Sequence, residues 1–193
     1  MDLYFDIGSP YSYLAFQRLP AMAAKVGVVV RYRPFLLGAV FKATGNAMPA
    51  LVAARATYML EDLRRWSVHT GVPLRFPAFF PVNSLLPMRA LCTFDESEVR
   101  SIAERIFVAY WVENKEVGQA DVLSNLIGAE AVAGASEPEV KLRLRTHTDE
   151  AIRLGAVGAP TMVVDGEIFF GNDRLEFALD AASGSGSSLA ERE

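Results

Sequence analysis

The pattern of apolar positions predicts strands near the two ends of the chain and helices in the middle. Near the N-terminus, the apolar run at residues 3–7 predicts a strand, and residues 11–26 have the length and apolar spacing of a helix. The run at residues 28–33 is rich in β-branched valine and predicts a second strand. A helix between two such strands predicts that they are parallel neighbours in a β-α-β unit.

The middle of the chain carries helical periodicity and no convincing strand. Residues 34–45 predict a loop or an irregular helix that ends in a run of turn formers. Residues 51–70 place apolar side chains at helical spacing, with charged residues between them, and predict an amphipathic helix. Prolines punctuate the connection that follows, and three or four further helices are expected between residues 85 and 154.

Strands return near the C-terminus. Residues 161–164 and 167–170 flank Asp165-Gly166, a dipeptide favoured in type I′ hairpin turns because both central residues need a positive φ. A short helix is expected at residues 173–181. The order β-α-β, a block of helices, then β-β-α predicts an α/β protein with a thioredoxin-like fold that is split by a large all-helical insertion.

The same order predicts how the chain divides into domains. Residues 1–45 and 155–182 are expected to form the thioredoxin-like domain, and residues 46–154 the helical insertion. Residues 183–193 are rich in glycine, serine and charge, and predict a flexible tail.

Composition narrows the classes of partner and chemistry. The 193 residues carry a net charge of −4 with lysine and arginine dispersed, which argues against nucleic acid and membrane partners. The chain begins without the pattern of a signal peptide, and its single cysteine, Cys92, excludes an internal disulfide and fits a reducing cytoplasmic location. Cys92 lies in a predicted helix and is expected to be a buried small hydrophobe. The sequence has no cluster with metal-ligand spacing, so no metal is expected.

The turn Ser9-Pro10-Tyr11-Ser12 stands between the first predicted strand and the first predicted helix. A thioredoxin fold keeps its redox Cys-x-x-Cys pair at this place, and here both cysteine positions hold serine. Pro10 suits a first helical position, and Ser9 is therefore expected to be the N-cap, which by itself is an ordinary structural role. If the scaffold is kept without its disulfide, the sulfur this protein works with must arrive on a ligand.

Ala159-Pro160 is the second landmark, immediately before the first strand of the predicted hairpin. A proline at this place in a thioredoxin-like sheet is a candidate for a cis peptide bond. A cis bond would turn the N–H and C=O of Ala159 outward beside the Ser9 turn, where they offer backbone pairing to a tripeptide such as glutathione.

Five separated motifs resemble the 2-hydroxychromene-2-carboxylate isomerase family, which is related to kappa-class glutathione transferases and to bacterial periplasmic disulfide oxidoreductases. The motifs are FDIGSPYSYL at residues 5–14, RPFLLG at 33–38, FKATGN at 41–46, GAPT at 158–161 and FGNDR at 170–174. The resemblance covers nearly the whole chain up to the predicted tail. It implies a thioredoxin-like fold and glutathione as a cofactor.

The resemblance also implies which residues hold glutathione. Ser9 matches the serine whose hydroxyl donates to the glutathione sulfur and favours the thiolate, which a free thiol with a pKa near 8.5 scarcely forms at neutral pH. Asn172 and Asp173 match the pair that holds the γ-glutamyl group at the start of the last helix. The other implied contacts are Pro10, Tyr11, Asn46, Ala159 and Pro160. Ser12 receives no defined role.

A second set of residues is expected on the substrate side of the pocket. Lys42 is a possible partner for a carboxylate, and the remaining members lie on the insertion or its connection: Arg55, Tyr58, Trp66 and Asn83. Residues such as Tyr58 and Trp66 are more often part of the core than substrate contacts. The stretch at residues 77–81 carries no titratable group where the family commonly has a histidine, and this departure bears on the identity of the substrate.

Three functions stay open on this evidence. The first is a glutathione-dependent isomerase that opens 2-hydroxychromene-2-carboxylate to trans-o-hydroxybenzylidenepyruvate in the bacterial breakdown of naphthalene and related aromatics. The second is a kappa-like transferase or peroxidase, which uses the same thiolate but consumes glutathione. The third is a non-catalytic thioredoxin-like binding module. The resemblance further implies a small aromatic pyruvate-type substrate and a homodimer.

Overall fold

The structure, a computed structural model, describes residues 1–184 of the chain. Its four strands are β1 (Asp2–Phe5), β2 (Arg31–Pro34), β3 (Thr161–Val164) and β4 (Glu167–Phe170). They form one mixed sheet in the order β2-β1-β3-β4, in which β1 is parallel to β2 and antiparallel to β3. The predicted β-α-β unit, hairpin and thioredoxin-like fold are therefore confirmed.

Nine α-helices lie within the described residues. They are α1 (Pro10–Lys25), α2 (Leu37–Thr44), α3 (Ala53–Thr70), α4 (Leu85–Leu91), α5 (Glu96–Trp111), α6 (Ala120–Ile127), α7 (Ala129–Gly134), α8 (Pro138–Arg153) and α9 (Leu175–Ser183). Short 3₁₀ helices occupy Pro49–Leu51 and Asn172–Arg174. Helices α3 to α8 fall between β2 and β3, as the predicted insertion requires. None of the helices within residues 1–184 has both the length and the apolar character needed to cross a membrane.

Several element boundaries differ from the prediction for local reasons. β1 ends at Phe5 because the Asp6 carbonyl already accepts the Ser9 N–H at 3.0 Å and begins the turn. β2 begins at Arg31 because Val28 still donates to the Ala23 carbonyl and closes the end of α1. Residues 85–154 hold five helices instead of three or four, since a glycine with a φ of 97° separates α6 from α7.

The hairpin turn has the predicted conformation. Asp165 has a φ of 50° and Gly166 a φ of 89°, so both central residues lie in the left-handed region that a type I′ turn demands. The predicted division into two domains stays a prediction. The predicted tail from residue 185 onward lies outside the described residues, while Ser183 belongs to α9.

An aromatic cluster joins the sheet to the insertion. Phe5 of β1, Phe16 of α1 and Phe107 of α5 are all fully buried, with ring centroids 5.0 to 5.9 Å apart. Trp111, at the end of α5, stacks with Tyr13 and donates its indole N–H to the Ile7 carbonyl at 2.9 Å. The strand end that leads into the Ser9 turn is thus held by a helix of the insertion.

Replacing Trp111 by phenylalanine tests this connection. The change leaves the buried Ile7 carbonyl without its donor and removes part of a fully buried side chain, so the free energy of unfolding is expected to fall by about 2–4 kcal/mol. Denaturant titration measures it. The matched control is Trp66→Phe, since the Trp66 indole is only partly buried, and its loss is expected to stay under about 1 kcal/mol. Equal losses in the two variants would contradict the role given to the indole hydrogen bond.

Candidate functional site

The Ser9 hydroxyl is the centre of the site. Ser9 has extended backbone (φ −94°, ψ 117°) and caps α1, where its Oγ accepts the Ser12 N–H at 3.1 Å. The same Oγ donates to the Ala159 carbonyl at 2.9 Å. Ser9 is therefore the N-cap that the sequence predicts, and its hydroxyl also joins α1 to the segment before β3.

The Ala159–Pro160 peptide bond is cis, as the sequence suggested. The carbonyl of Ala159 is not left without a partner, because it accepts a hydrogen bond from the Ser9 hydroxyl. The sequence did not anticipate this bond. A ligand sulfur that accepted a hydrogen bond from the Ser9 hydroxyl would therefore compete with the Ala159 carbonyl for this donor.

The turn opens into a first cavity of about 260 Å³. Ser9 and Ala159 lie in its wall together with the predicted contacts Pro10, Tyr11 and Asn46 and the predicted substrate residue Arg55. The rest of the lining is largely apolar: Gly8, Leu37, Phe41, Ala47, Met48, Pro49, Met59, Phe80, Gly158 and Phe170. Arg55 is the one charged side chain of this lining. Among the described residues it has no ion-pair partner.

A second cavity of about 340 Å³ adjoins the first. The two linings share four residues: Gly8, Leu37, Phe41 and Met48. Asn83, a predicted substrate residue, lines the second cavity beside Ser84, and most other members are apolar. Asp6 is the one ionisable residue in its lining.

Asp6 is a site residue that the sequence reasoning missed. It is buried, its Oδ1 accepts the Gly8 N–H at 2.8 Å, and its Oδ2 accepts the Leu37 N–H at 2.9 Å and the Ser84 hydroxyl at 3.1 Å. Burial raises the pKa of the Asp6 carboxyl, and this effect exceeds the opposing effect of the three hydrogen bonds, which stabilise the carboxylate. A charged residue within the otherwise apolar run at residues 3–7, which predicts a strand, was the signal that could have singled it out.

Tyr11 lines the first cavity with its hydroxyl already engaged. The hydroxyl donates to the Asp62 carboxylate on α3 at 2.8 Å. Burial, followed by the hydrogen bond and charge of Asp62, raises the pKa of the Tyr11 phenol above its ordinary value. Tyr11 is therefore a neutral hydrogen-bonding group near the turn, held by the insertion.

Asn46 lies in the first cavity but holds its own loop as well. Its side-chain NH₂ donates to the Val157 carbonyl at 3.1 Å, and its Oδ1 accepts the Ala47 N–H at 2.8 Å. The side chain is exposed and joins the segment after α2 to the segment before β3. The turn role of Asn46 is thus observed, and its contact with glutathione stays a prediction.

Asn172 and Asp173 lie at the start of the last helical segment, outside the linings of both cavities. Asn172 is 3% exposed, and Arg18 donates to its Oδ1 at 3.0 Å and to its carbonyl at 3.1 Å. Asp173 is exposed and pairs with Arg174 at 2.8 Å. Arg18 is a further residue that the sequence reasoning missed, since nothing local in α1 indicates its partner 154 residues away.

Three predicted substrate residues are not brought into either cavity. Lys42 is exposed on α2, and Tyr58 is 65% exposed on α3. Trp66 packs against the core with the Arg18 guanidinium 4.9 Å from its ring centroid. The structure therefore groups Arg55 and Asn83 with the site and leaves these three outside its walls.

Cys92 is not a source of reactive sulfur. It is buried, as expected, and burial raises the pKa of its thiol to about 12, so that it stays protonated at neutral pH. Within residues 1–184, no three side chains of the His, Cys, Asp and Glu types are grouped to hold a metal ion.

Known proteins that are similar to this chain include two groups of enzymes. The chain is 32% identical over 185 residues to a 2-hydroxychromene-2-carboxylate isomerase from Sphingobium xenophagum, covering 92% of this chain and 94% of the relative. It is 30% identical over 201 residues to glutathione S-transferase kappa 1 from Caenorhabditis elegans, covering 93% and 89%. A solved structure of 2-hydroxychromene-2-carboxylate isomerase superposes with a TM-score of 0.83 at 32% identity, covering 95% of this chain and 94% of that one.

The family assignment rests on nearly the whole described chain. The model of the DSBA-like thioredoxin domain matches residues 1–183. The match spans the Ser9 turn, the helical insertion and the hairpin, and it agrees with the observed sheet order. This chain therefore belongs to the DSBA-like thioredoxin family, within which its relatives are glutathione transferases and isomerases.

Proposed function

We propose that this protein is a glutathione-dependent isomerase that converts 2-hydroxychromene-2-carboxylate, or a related intermediate of aromatic catabolism, to trans-o-hydroxybenzylidenepyruvate. The observation that carries the proposal is the Ser9 hydroxyl at the N-terminus of a 16-residue helix, in the wall of a largely apolar cavity. The similarity to isomerases of this name supports the choice of reaction.

The Ser9 turn supplies what a thiolate needs. The glutathione sulfur is proposed to lie against the Ser9 hydroxyl. The hydroxyl then donates its hydrogen bond to the sulfur instead of to the Ala159 carbonyl. The Ser12 N–H continues to donate to the Ser9 oxygen and makes the hydroxyl a better donor. With the positive end of the α1 dipole, this arrangement can lower the thiol pKa by about two units, which is about 2.7 kcal/mol.

The peptide part of glutathione is proposed to run along the cis-proline segment. The Ala159 backbone and the side chains of Tyr11 and Asn46 border this path. The γ-glutamyl end is proposed to reach Asn172 and Asp173, where the Asp173 carboxylate can exchange Arg174 for the α-ammonium group. Arg18 would hold the buried Asn172 in place.

The substrate is proposed to lie across both cavities. Arg55 offers the unpaired guanidinium that a pyruvate-type carboxylate needs, and the second cavity offers apolar space for the aromatic ring beside Asn83. The cyclic hemiketal first opens: its ring carbon–oxygen bond breaks, its hydroxyl becomes the ketone carbonyl, and the hydroxyl proton passes to the phenolic oxygen. Thiolate addition then forms a carbon–sulfur bond and moves the alkene electron pair to that conjugated carbonyl. The resulting single bond rotates, and elimination returns the thiolate and leaves the trans alkene.

A kappa-like transferase or peroxidase is the second candidate. Relatives named glutathione S-transferase kappa 1 match the chain about as well as the isomerases do, and such chemistry needs the same thiolate. A non-catalytic binding module is the third possibility. The cytoplasmic location, the homodimer and the link to naphthalene breakdown stay predictions.

The first experiment compares Ser9→Ala with Ser12→Ala. Both changes delete one buried hydroxyl, but the Ser12 Oγ has no hydrogen-bond partner in the described structure, which makes Ser12→Ala a matched control. Ser9→Ala keeps the helix dipole and is expected to raise the pKa of bound glutathione by up to about two units, and the smaller thiolate fraction is expected to lower turnover at neutral pH by up to about 25-fold.

Calorimetry measures glutathione binding in these variants, and the ultraviolet absorbance of the thiolate measures its ionisation. A wild-type protein that binds no glutathione would contradict both enzyme candidates and favour the binding module. Normal thiolate absorbance in Ser9→Ala would contradict the role given to Ser9.

The stoichiometry of glutathione separates the two enzyme candidates. The proposed isomerase returns glutathione in every cycle, so its concentration is expected to stay constant while the 2-hydroxychromene-2-carboxylate is converted. Chromatographic quantification of free thiol and product measures both. Loss of one glutathione per product would favour the transferase or peroxidase.

Arg55→Gln tests the orientation of the substrate. Removing the cation is expected to raise KM for the carboxylate substrate by about 10- to 100-fold, because hydrogen bonds to charged groups contribute about 1.5–3 kcal/mol. The control is Arg65→Gln, which removes an exposed arginine of the same helix that lines neither cavity. Steady-state kinetics measures KM in both variants. An equal rise of KM in the two would contradict the proposed orientation of the substrate carboxylate toward Arg55.

A further inference from the structure

Asp6 and Ser84 form a pair that can hold a proton in the wall of the second cavity. The Asp6 Oδ2 accepts the Ser84 hydroxyl at 3.1 Å, and both residues line that cavity. Asp6 immediately follows β1, whereas Ser84 immediately precedes α4 of the insertion. The pair therefore exists only because the insertion packs against the end of β1.

The surroundings of Asp6 accommodate both protonation states. The ionised carboxylate accepts three hydrogen bonds, from the Gly8 N–H, the Leu37 N–H and the Ser84 hydroxyl. A proton on Oδ2 needs an acceptor, and the Ser84 hydroxyl can turn to provide one, since a hydroxyl both donates and accepts. The two backbone donors keep their partners meanwhile. Protonation thus reverses one hydrogen bond and breaks none.

The charged groups around Asp6 are few. The lining of the second cavity contains no other titratable residue, and the first cavity contributes Tyr11 and Arg55 across Gly8. The elements that pack around the carboxyl carry, among their described residues, these further titratable groups: Asp2 and Tyr4 on β1, Tyr13, Arg18 and Lys25 on α1, Lys42 on α2, and Arg89 on α4. None of them forms a hydrogen bond or an ion pair with Asp6. Burial raises the pKa of Asp6, which extends the neutral form toward neutral pH.

We propose that Asp6, assisted by Ser84, is the acid–base group of the second cavity and lends a proton to the carbonyl oxygen of the bound substrate. This inference rests on the proposed isomerase reaction. As the thiolate forms the carbon–sulfur bond, the alkene electron pair moves to the carbonyl oxygen, and the Asp6 proton passes to that oxygen. During elimination the enol proton returns to Asp6 and the carbon–sulfur bond breaks. Each cycle leaves Asp6 and glutathione unchanged.

The test is the pH dependence of turnover in Asp6→Asn and Ser84→Ala. In the wild type, turnover is expected to rise with pH as the thiolate forms and to fall again as Asp6 loses its proton. In Asp6→Asn the descending limb is expected to disappear. The kcat of this variant is expected to fall by about 10²- to 10⁴-fold, the usual contribution of general acid–base catalysis. Ser84→Ala keeps the carboxyl and is expected to keep the limb, moved to higher pH because the carboxylate loses a donor.

Two further measurements keep the result interpretable. Thiolate absorbance of bound glutathione should be normal in Asp6→Asn, which also reports a folded site. In the wild-type protein, isotope-labelled at its aspartate carboxyls, infrared spectroscopy should show a protonated buried carboxyl that titrates over the pH range of the descending limb.

The outcomes distinguish this inference from the proposed function. A wild-type protein without a thiolate signal contradicts the isomerase itself. A normal thiolate signal combined with an unchanged descending limb in Asp6→Asn overturns the role of Asp6 alone. The absence of a titrating carboxyl in the wild-type infrared spectrum overturns it as well, even if Asp6→Asn does not fold.

Discussion

The Ser9 hydroxyl connects two segments of the chain on which the site depends. It accepts the Ser12 N–H at the start of α1 and donates to the Ala159 carbonyl before β3. These segments are 150 residues apart, and the helical insertion lies between them. A single buried hydroxyl therefore caps a helix and holds the cis-proline segment, and it is also the proposed donor to the glutathione sulfur. The same geometry that stabilises the fold positions the proposed chemistry.

The insertion completes the site as well as the core. Trp111 holds the Ile7 carbonyl beside the turn, and Asp62 holds the Tyr11 hydroxyl at the mouth of the first cavity. Ser84 reaches the Asp6 carboxylate in the second cavity. The thioredoxin-like part supplies the helix N-terminus that favours an anion, while the insertion supplies apolar walls, Arg55 and the partner of the buried acid. Neither part by itself makes both cavities.

Local signals predicted the local features well. The hairpin turn follows from Asp165-Gly166, whose two positions adopt positive φ, and the N-cap follows from serine before Pro10. Predictions for long-range partners were less complete. Lys42 and Trp66 are near site residues in the sequence, yet they lie outside both cavities because helix orientation decides which face borders the site.

The order of strands and helices, the serine-for-cysteine turn and the family could be predicted from sequence, because each depends on periodicity or on a short motif. The hydrogen bonds from Ser9 to Ala159 and from Arg18 to Asn172, and the burial of Asp6 against Ser84, became visible only in the folded chain. Hydrogen bonds across 78 to 154 residues leave no periodic trace in a single sequence. Burial of Asp6 depends on where the insertion packs, and that placement determines its pKa and the use the site can make of it.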